Sequence, residues 1–164
     1  MRSLQFSVER LVDAPAEVVY HCLADYREHH RAGGFLPPVF TDLQVLHGGV
    51  GAGTVIRFTT RLAGRTVTRT QEVTEPEPGR VLVESGDGEG STFTVEPRGE
   101  RALVRIDSVV RAGGLEGLLL SWLGERLLRP ILTDELARLE RYAQAHQATG
   151  VGLGHGHPPT RASA

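Results

Sequence analysis

Residues 102–142 read ALVRIDSVVRAGGLEGLLLSWLGERLLRPILTDELARLERY, and the repeat of apolar residues changes partway along. From Ala102 to Val110, Val104 and Ile106 alternate with Arg105 and Asp107, the period of a half-buried strand. Beyond Gly113-Gly114, residues Leu115, Leu118, Leu119, Trp122 and Leu123 recur at helical spacing, followed by Leu127, Ile131, Leu132, Leu136, Leu139 and Tyr142. A last strand therefore hands over to one helical region that runs to about His146. At a rise of roughly 1.5 Å per residue it would span about 50 Å if straight. Pro130 removes an internal hydrogen bond and predicts a kink.

Working back toward the N-terminus, Leu4 to Asp13 alternates Leu4, Phe6 and Val8 with Gln5, Ser7 and Glu9, a first strand. Asp13 is an N-cap candidate, Pro15 suits a first turn, and Val18, Val19, Cys22, Leu23 and Tyr26 then fall at helical spacing. That short helical region breaks up around Gly33-Gly34, and Pro37-Pro38 leads into a second strand over Val39–His47. The run Gly48 to Gly53 is a hairpin connection. It is not read as a phosphate loop, because Thr54 to Leu62 is β-branched and alternating where such a loop requires a helix. Arg65 to Thr74, Arg80 to Ser85, Thr92 to Pro97 and Ala102 to Val110 complete seven strands, with a loop expected over Glu75–Gly79 and a turn over Gly86–Gly90. Short connections favour an antiparallel meander, since parallel pairing needs long crossovers.

The chain has 164 residues and a formal net charge of -2, with 40% hydrophobic and 23% charged residues, ordinary values for one globular domain. That domain is placed at 1–147. The Gly- and Pro-rich remainder, 148–164, is expected to be disordered, and its His155 and His157 are too few for a rigid metal site. Every basic residue is Arg, which excludes lysine Schiff-base chemistry and a phosphate-loop lysine. Dispersed charge gives no footprint for nucleic acid, and the longest apolar run, Leu118 to Leu120, is far too short to insert stably in a membrane. The single Cys22 and the lack of an apolar leader after Met1-Arg2 make the cytoplasm the expected location. No cofactor motif is present, no metal site is expected, and a homodimer is left open.

Several stretches resemble the START-like superfamily, also called SRPBCC or Bet v 1-like. These are 13–20 (DAPAEVVY), 45–54 (VLHGGVGAGT), 73–80 (VTEPEPGR) and 135–142 (ELARLERY). The likeness covers about Leu4 to His146 and is nearest the polyketide cyclase/dehydrase and lipid-transport group. It implies an α+β helix-grip fold: a seven-stranded antiparallel sheet wrapped around a long C-terminal helix, with two short helices after the first strand. It also implies a cavity for an apolar ligand, such as a lipid, a polyketide or an aromatic metabolite.

Strand parity puts Ile56, Phe58, Leu62, Val67, Val73, Phe93, Val95, Val104 and Ile106 on the inner face. The same parity carries Arg69 and Gln71 inward, where a guanidinium needs a carboxylate, a ligand oxygen or water. The residues taken to face a ligand are Tyr26, Phe58, Arg69, Gln71, Phe93, Trp122 and Arg126. The bland alternatives are core packing for Trp122, and solvated surface positions for Arg69 and Arg126. His21, His29 and His30, with Asp25 and Glu28, concentrate titratable groups on the short helices that would overlie the pocket mouth. A solvated face is the simpler reading of them, and adjacent His29 and His30 point to different sides of a helix. Cys22 lies on the apolar stripe and reads as an inert buried thiol. No catalytic group is identified, so the reading is a carrier or sensor of a hydrophobic small molecule, with a polyketide cyclase or dehydratase using the same cavity as the alternative. A third reading, a protein-interaction surface, would show as an exposed apolar patch.

Overall fold

A computed structural model describes the backbone of residues 2–30, 34–62, 64–112 and 114–150, and the side chains of these residues other than Arg2, Ala112, 114–123 and Gly150. The strands are β1 (Arg2–Val12), β2 (Phe40–His47), β3 (Val55–Leu62), β4 (Arg65–Glu77), β5 (Val81–Gly86), β6 (Glu89–Arg98) and β7 (Arg101–Ala112); the helices are α1 (Ala16–Ala24) and α2 (Gly114–Gly150). All seven strands join one antiparallel sheet in the order β1-β7-β6-β5-β4-β3-β2, so six strands form a meander and β1 closes onto the last of them. With α2 packed chiefly on β1, and less extensively on α1 and β7, this is the helix-grip architecture expected from the sequence.

The core follows from the two periodicities. On α2, the buried residues Leu132, Leu136, Leu139 and Ala143 form one apolar stripe. In the sheet, Leu82, Phe93, Ile106 and Val8 lie opposite one another across four neighbouring strands, and all are buried. At the far end of β3 and β4 the same parity leaves Leu62 half-buried and Val67 exposed. The lining expected there is not formed among the described side chains, because α2 crosses β1 and β7 rather than these strands.

Local chemistry shifts several expected boundaries. Asp13 does not cap α1: its N–H is donated to Glu140 Oε1 on α2 at 3.0 Å, and Pro15 stands at the cap position with no side-chain bond. The second short helix is replaced by turns over 26–30. There Asp25 Oδ1 accepts from the N–H groups of Arg27 and Glu28, an Asx-type turn that diverts the chain. β4 continues to Glu77 through an irregularity after Thr74, because Pro76 cannot donate to the ladder but tolerates an edge position. The turn near 86–90 shrinks to Asp87-Gly88, both with positive φ, the requirement of a tight primed hairpin turn. α2 runs through Pro130 as one element and continues past His146 to Gly150, so the expected start of the tail at 148 falls inside the helix. Residues 151–164, including His155 and His157, lie outside the described part.

A Cβ on Gly86 would stand 2.2 Å from the Thr70 carbonyl oxygen, which is backbone and cannot move without disturbing the β4–β5 pairing. Gly86→Ala is therefore expected to cost about 1–3 kcal/mol in urea unfolding. A change within a few tenths would show that the strands can separate there freely.

Candidate acid/base site

The inner face carries a polar row beside its apolar one. Glu84 on β5 pairs in register with Ser91 on β6, and Ser91 with Ser108 on β7. The two serine hydroxyls are hydrogen-bonded at 2.8 Å. From the turns after α1, Tyr26 donates its hydroxyl to Glu84 Oε1 at 2.6 Å. From α2, Glu135 enters the same interior on the stripe of Leu132, Leu136 and Leu139, only 5% exposed.

Removing two carboxyls from water disfavours their ionised forms. Burial pushes Glu84 up to about 7, against the opposing pull of the Tyr26 hydroxyl. Glu135 is pushed up to about 8, first by burial, then by the charges of Glu84 and Asp134. The two carboxyls are coupled, so the charge of the one that ionises raises the other. Near neutral pH the interior thus holds a coupled pair of carboxyls able to exchange protons. Tyr26 is held well above the ordinary phenol range by burial and by Glu84, so it acts as a donor only.

Each residue singled out from the sequence has a definite place. Tyr26, Phe58 and Phe93 are buried, and Gln71 is 7% exposed. Phe58 pairs with Arg69 and Ile56 with Gln71, so Arg69 and Gln71 share the inner face as parity required. The Arg69 Nε donates to Glu89 Oε2 at 2.7 Å, while Glu89 Oε1 accepts the Arg111 N–H. Arg69 is thereby tied across the sheet rather than solvated. Arg69→Ala should lower stability by about 1 kcal/mol or less, since the pair is partly exposed, as read from thermal unfolding. Arg126 is exposed on α2. The Trp122 side chain lies outside the described residues. Cys22 is fully buried and its thiol is pushed up to about 11 by burial and Asp25, an inert thiol as expected.

The glycine-rich segment forms the β2–β3 hairpin and docks on the end of α1. Tyr26 N–H donates to Gly49 O, and Gly51 N–H donates to Ala24 O. Glu75 receives the Tyr20 hydroxyl at 2.6 Å and the Ala52 N–H at 2.7 Å, fixing the loop that holds Tyr26 in place. At Gly51, φ is +61° and a Cβ would meet the Glu75 carboxylate, so glycine alone fits this close approach.

Neither Glu84 nor Glu135 is singled out by sequence reading. Glu84 alternates with Leu82, but Val81 and Val83 flank it with an equally apolar alternative, so parity on β5 is ambiguous. Glu135 was legible as a carboxylate three residues after Leu132 and four before Leu139, inside an apolar stripe. His29 and His30 correct the solvated-face expectation: they are 3% and 4% exposed. His30 stacks on Tyr26 with ring centroids 4.2 Å apart, and its Nε2 lies 3.0 Å from Leu23 O. A surface crevice of about 430 Å³ lies elsewhere, at the β1 edge between Ser7, Glu9, Arg105 and Arg129, and shares no residue with the polar row. No helix among the described residues is long and apolar enough to cross a membrane.

Residues 3–144 match the family described as polyketide cyclase / dehydrase and lipid transport. No curated protein sequence matches the chain closely enough to count as a relative. Among solved structures, TTHA0849 from Thermus thermophilus superposes with a TM-score of 0.71 at 23% identity, covering 87% of this chain and 99% of that one. The Zhui aromatase/cyclase from Streptomyces sp. R1128 does so with 0.67 at 18% identity, covering 89% and 96%. Norcoclaurine synthase from Thalictrum flavum, in complex with dopamine and hydroxybenzaldehyde, gives 0.64 at 13% identity, covering 88% of each chain. These likenesses establish the fold.

Proposed function

The chain belongs to the polyketide cyclase/dehydrase and lipid-transport family, and from that premise we propose that it binds a small, largely apolar, carbonyl-bearing molecule between sheet and α2 and moves a proton on it. The observation that carries this reading is the pair of interior carboxyls, Glu84 and Glu135, with Tyr26 on the first. Two carboxyls in an apolar interior cost several kcal/mol that a fold has no structural need to incur, and such pairs are what acid/base chemistry requires. With Glu84 raised to about 7 and Glu135 to about 8, both lie where general acid/base groups work best at neutral pH.

In this reading the Glu84 carboxylate takes a proton from the carbon beside a ligand carbonyl. Protonated Glu135 donates its proton to the oxygen on which charge develops. Tyr26 keeps Glu84 oriented, and the apolar row of Leu82, Phe93 and Ile106 holds the carbon skeleton away from water. Such a sequence serves an aldol-type ring closure followed by loss of water. The activities for which the aromatase/cyclase and norcoclaurine synthase are named are consistent with this fold hosting ring-forming chemistry, though fold alone assigns none.

A carrier is the second reading, favoured by the Tyr26–Glu84 bond, which can satisfy the carboxylate without any ligand. Incubation with a linear poly-β-ketoacyl thioester, followed by mass spectrometry for loss of water, separates the two. Wild type is expected to accelerate that loss by at least about a hundredfold over Glu84→Gln. No acceleration by wild type, with an apolar ligand co-purifying equally with wild type and Glu84→Gln, would replace the enzyme by the carrier.

A further inference from the structure

Apart from the interior site, α1, the turn that follows it and the end of α2 bring three imidazoles together. The candidate ligand atoms of His21, His29 and His146 all lie within 4.8 Å of one another. His21 and His146 are exposed, while His29 is buried. We propose that these three histidines form a binding site for a divalent transition-metal ion of the zinc class.

Three features support it. First, the His29 Nε2 is buried without a hydrogen-bond partner, a cost that a coordinated ion would remove. Second, the other ring nitrogen, Nδ1, lies 2.7 Å from the Tyr142 hydroxyl. In the tautomer that donates from Nδ1 to that oxygen, the Nε2 lone pair is free and oriented, the outer-shell arrangement that metal-bound histidines ordinarily have. Third, the set is all nitrogen with no carboxylate, which suits Zn²⁺ and its neighbours and disfavours Ca²⁺ or Mg²⁺.

Tetrahedral coordination at about 2.1 Å needs ligand atoms roughly 3.4 Å apart. The two exposed side chains, His21 and His146, can rotate inward by the remaining distance while His29 stays fixed. Three protein ligands leave one position open to water or an outside ligand. Burial is the largest cause that holds His29 below the usual imidazole range, against the opposing charge of Asp25. Sequence spacing alone could not show this group, because His146 lies on the C-terminal helix, far along the chain from the other two.

Calorimetric titration of the full chain with ZnCl₂ tests the site, with circular dichroism confirming the fold of each variant. His155→Ala/His157→Ala should bind one tight equivalent as wild type does. His21→Ala/His146→Ala, altered only at exposed positions, should bind at least about a hundredfold more weakly, and Tyr142→Phe about tenfold more weakly. Tight binding that survives His21→Ala/His146→Ala, or is lost only with His155 and His157, would overturn the proposal. So would the absence of tight binding to wild type.

Discussion

Glu135→Gln should stabilise the protein at pH 8.5 by about 3–5 kcal/mol, leave it nearly unchanged at pH 5, and abolish proton transfer. The sign follows from the raised value. Glu135 titrates at about 8 when folded and near its ordinary 4.5 when unfolded. Between those limits the folded state binds more protons, so folding stability falls as pH rises through the window and levels off above it. A shift of this size corresponds to at most about 5 kcal/mol. The amide keeps the shape of the acid but has no charge to desolvate, so it escapes the loss. For a chain of this length the gain is roughly 10 °C in the unfolding midpoint, measured by calorimetry at the two pH values. An equal shift at both would mean that packing, not ionisation, was altered. Stability gained with function lost is the pattern of a group retained for chemistry.

Tyr26→Phe removes one oxygen from a buried site. The ring keeps its stacking on His30, but Glu84 loses the only hydroxyl given to it among the described residues. A buried acceptor left without its donor costs about 1–3 kcal/mol, and more at alkaline pH, where the carboxylate is charged. Glu84 should titrate higher still, because the hydrogen bond from Tyr26 is what restrains its rise. Turnover should fall by about a hundredfold or more, with its pH profile displaced upward, since a base that ionises later is available later. A rate loss with an unmoved profile would make Tyr26 a packing residue only.

The scaffold was largely legible because periodicity reports it directly. The alternation of Val104 and Ile106 and the helical spacing of Leu132, Leu136 and Leu139 are each buried as their repeats require. The hairpin at Gly48–Gly53 was readable from the β-branched run after it. Caps and short helices were less so, because tertiary partners compete for the same groups. Asp13 gives its N–H to Glu140 on a distant helix, and Asp25 folds the chain into turns where a second helix was expected. Arg69 was placed on the correct face, while its partner Glu89 required the β4–β5 and β5–β6 registers.

The site itself was the least legible part, for a physical reason. Its members come from β5, the turns after α1 and α2, and each taken alone is an ordinary residue in its own element. Glu84 sits in a strand with apolar residues on both faces, and Glu135 among the many charges of an amphipathic helix. Only their convergence in the interior makes them unusual. The same holds for His21, His29 and His146.

Two interior carboxyls that stay protonated far above the ordinary carboxylate range are the centre of this account. Carbon-detected NMR titration of the side-chain carboxyls, with Glu84→Gln and Glu135→Gln used for assignment, tests this most directly. The pair should titrate in two steps, near pH 7 and near pH 8, and each variant should lose one step. Titration of every glutamate near the ordinary 4.5 would contradict the account and leave the fold without an acid/base site.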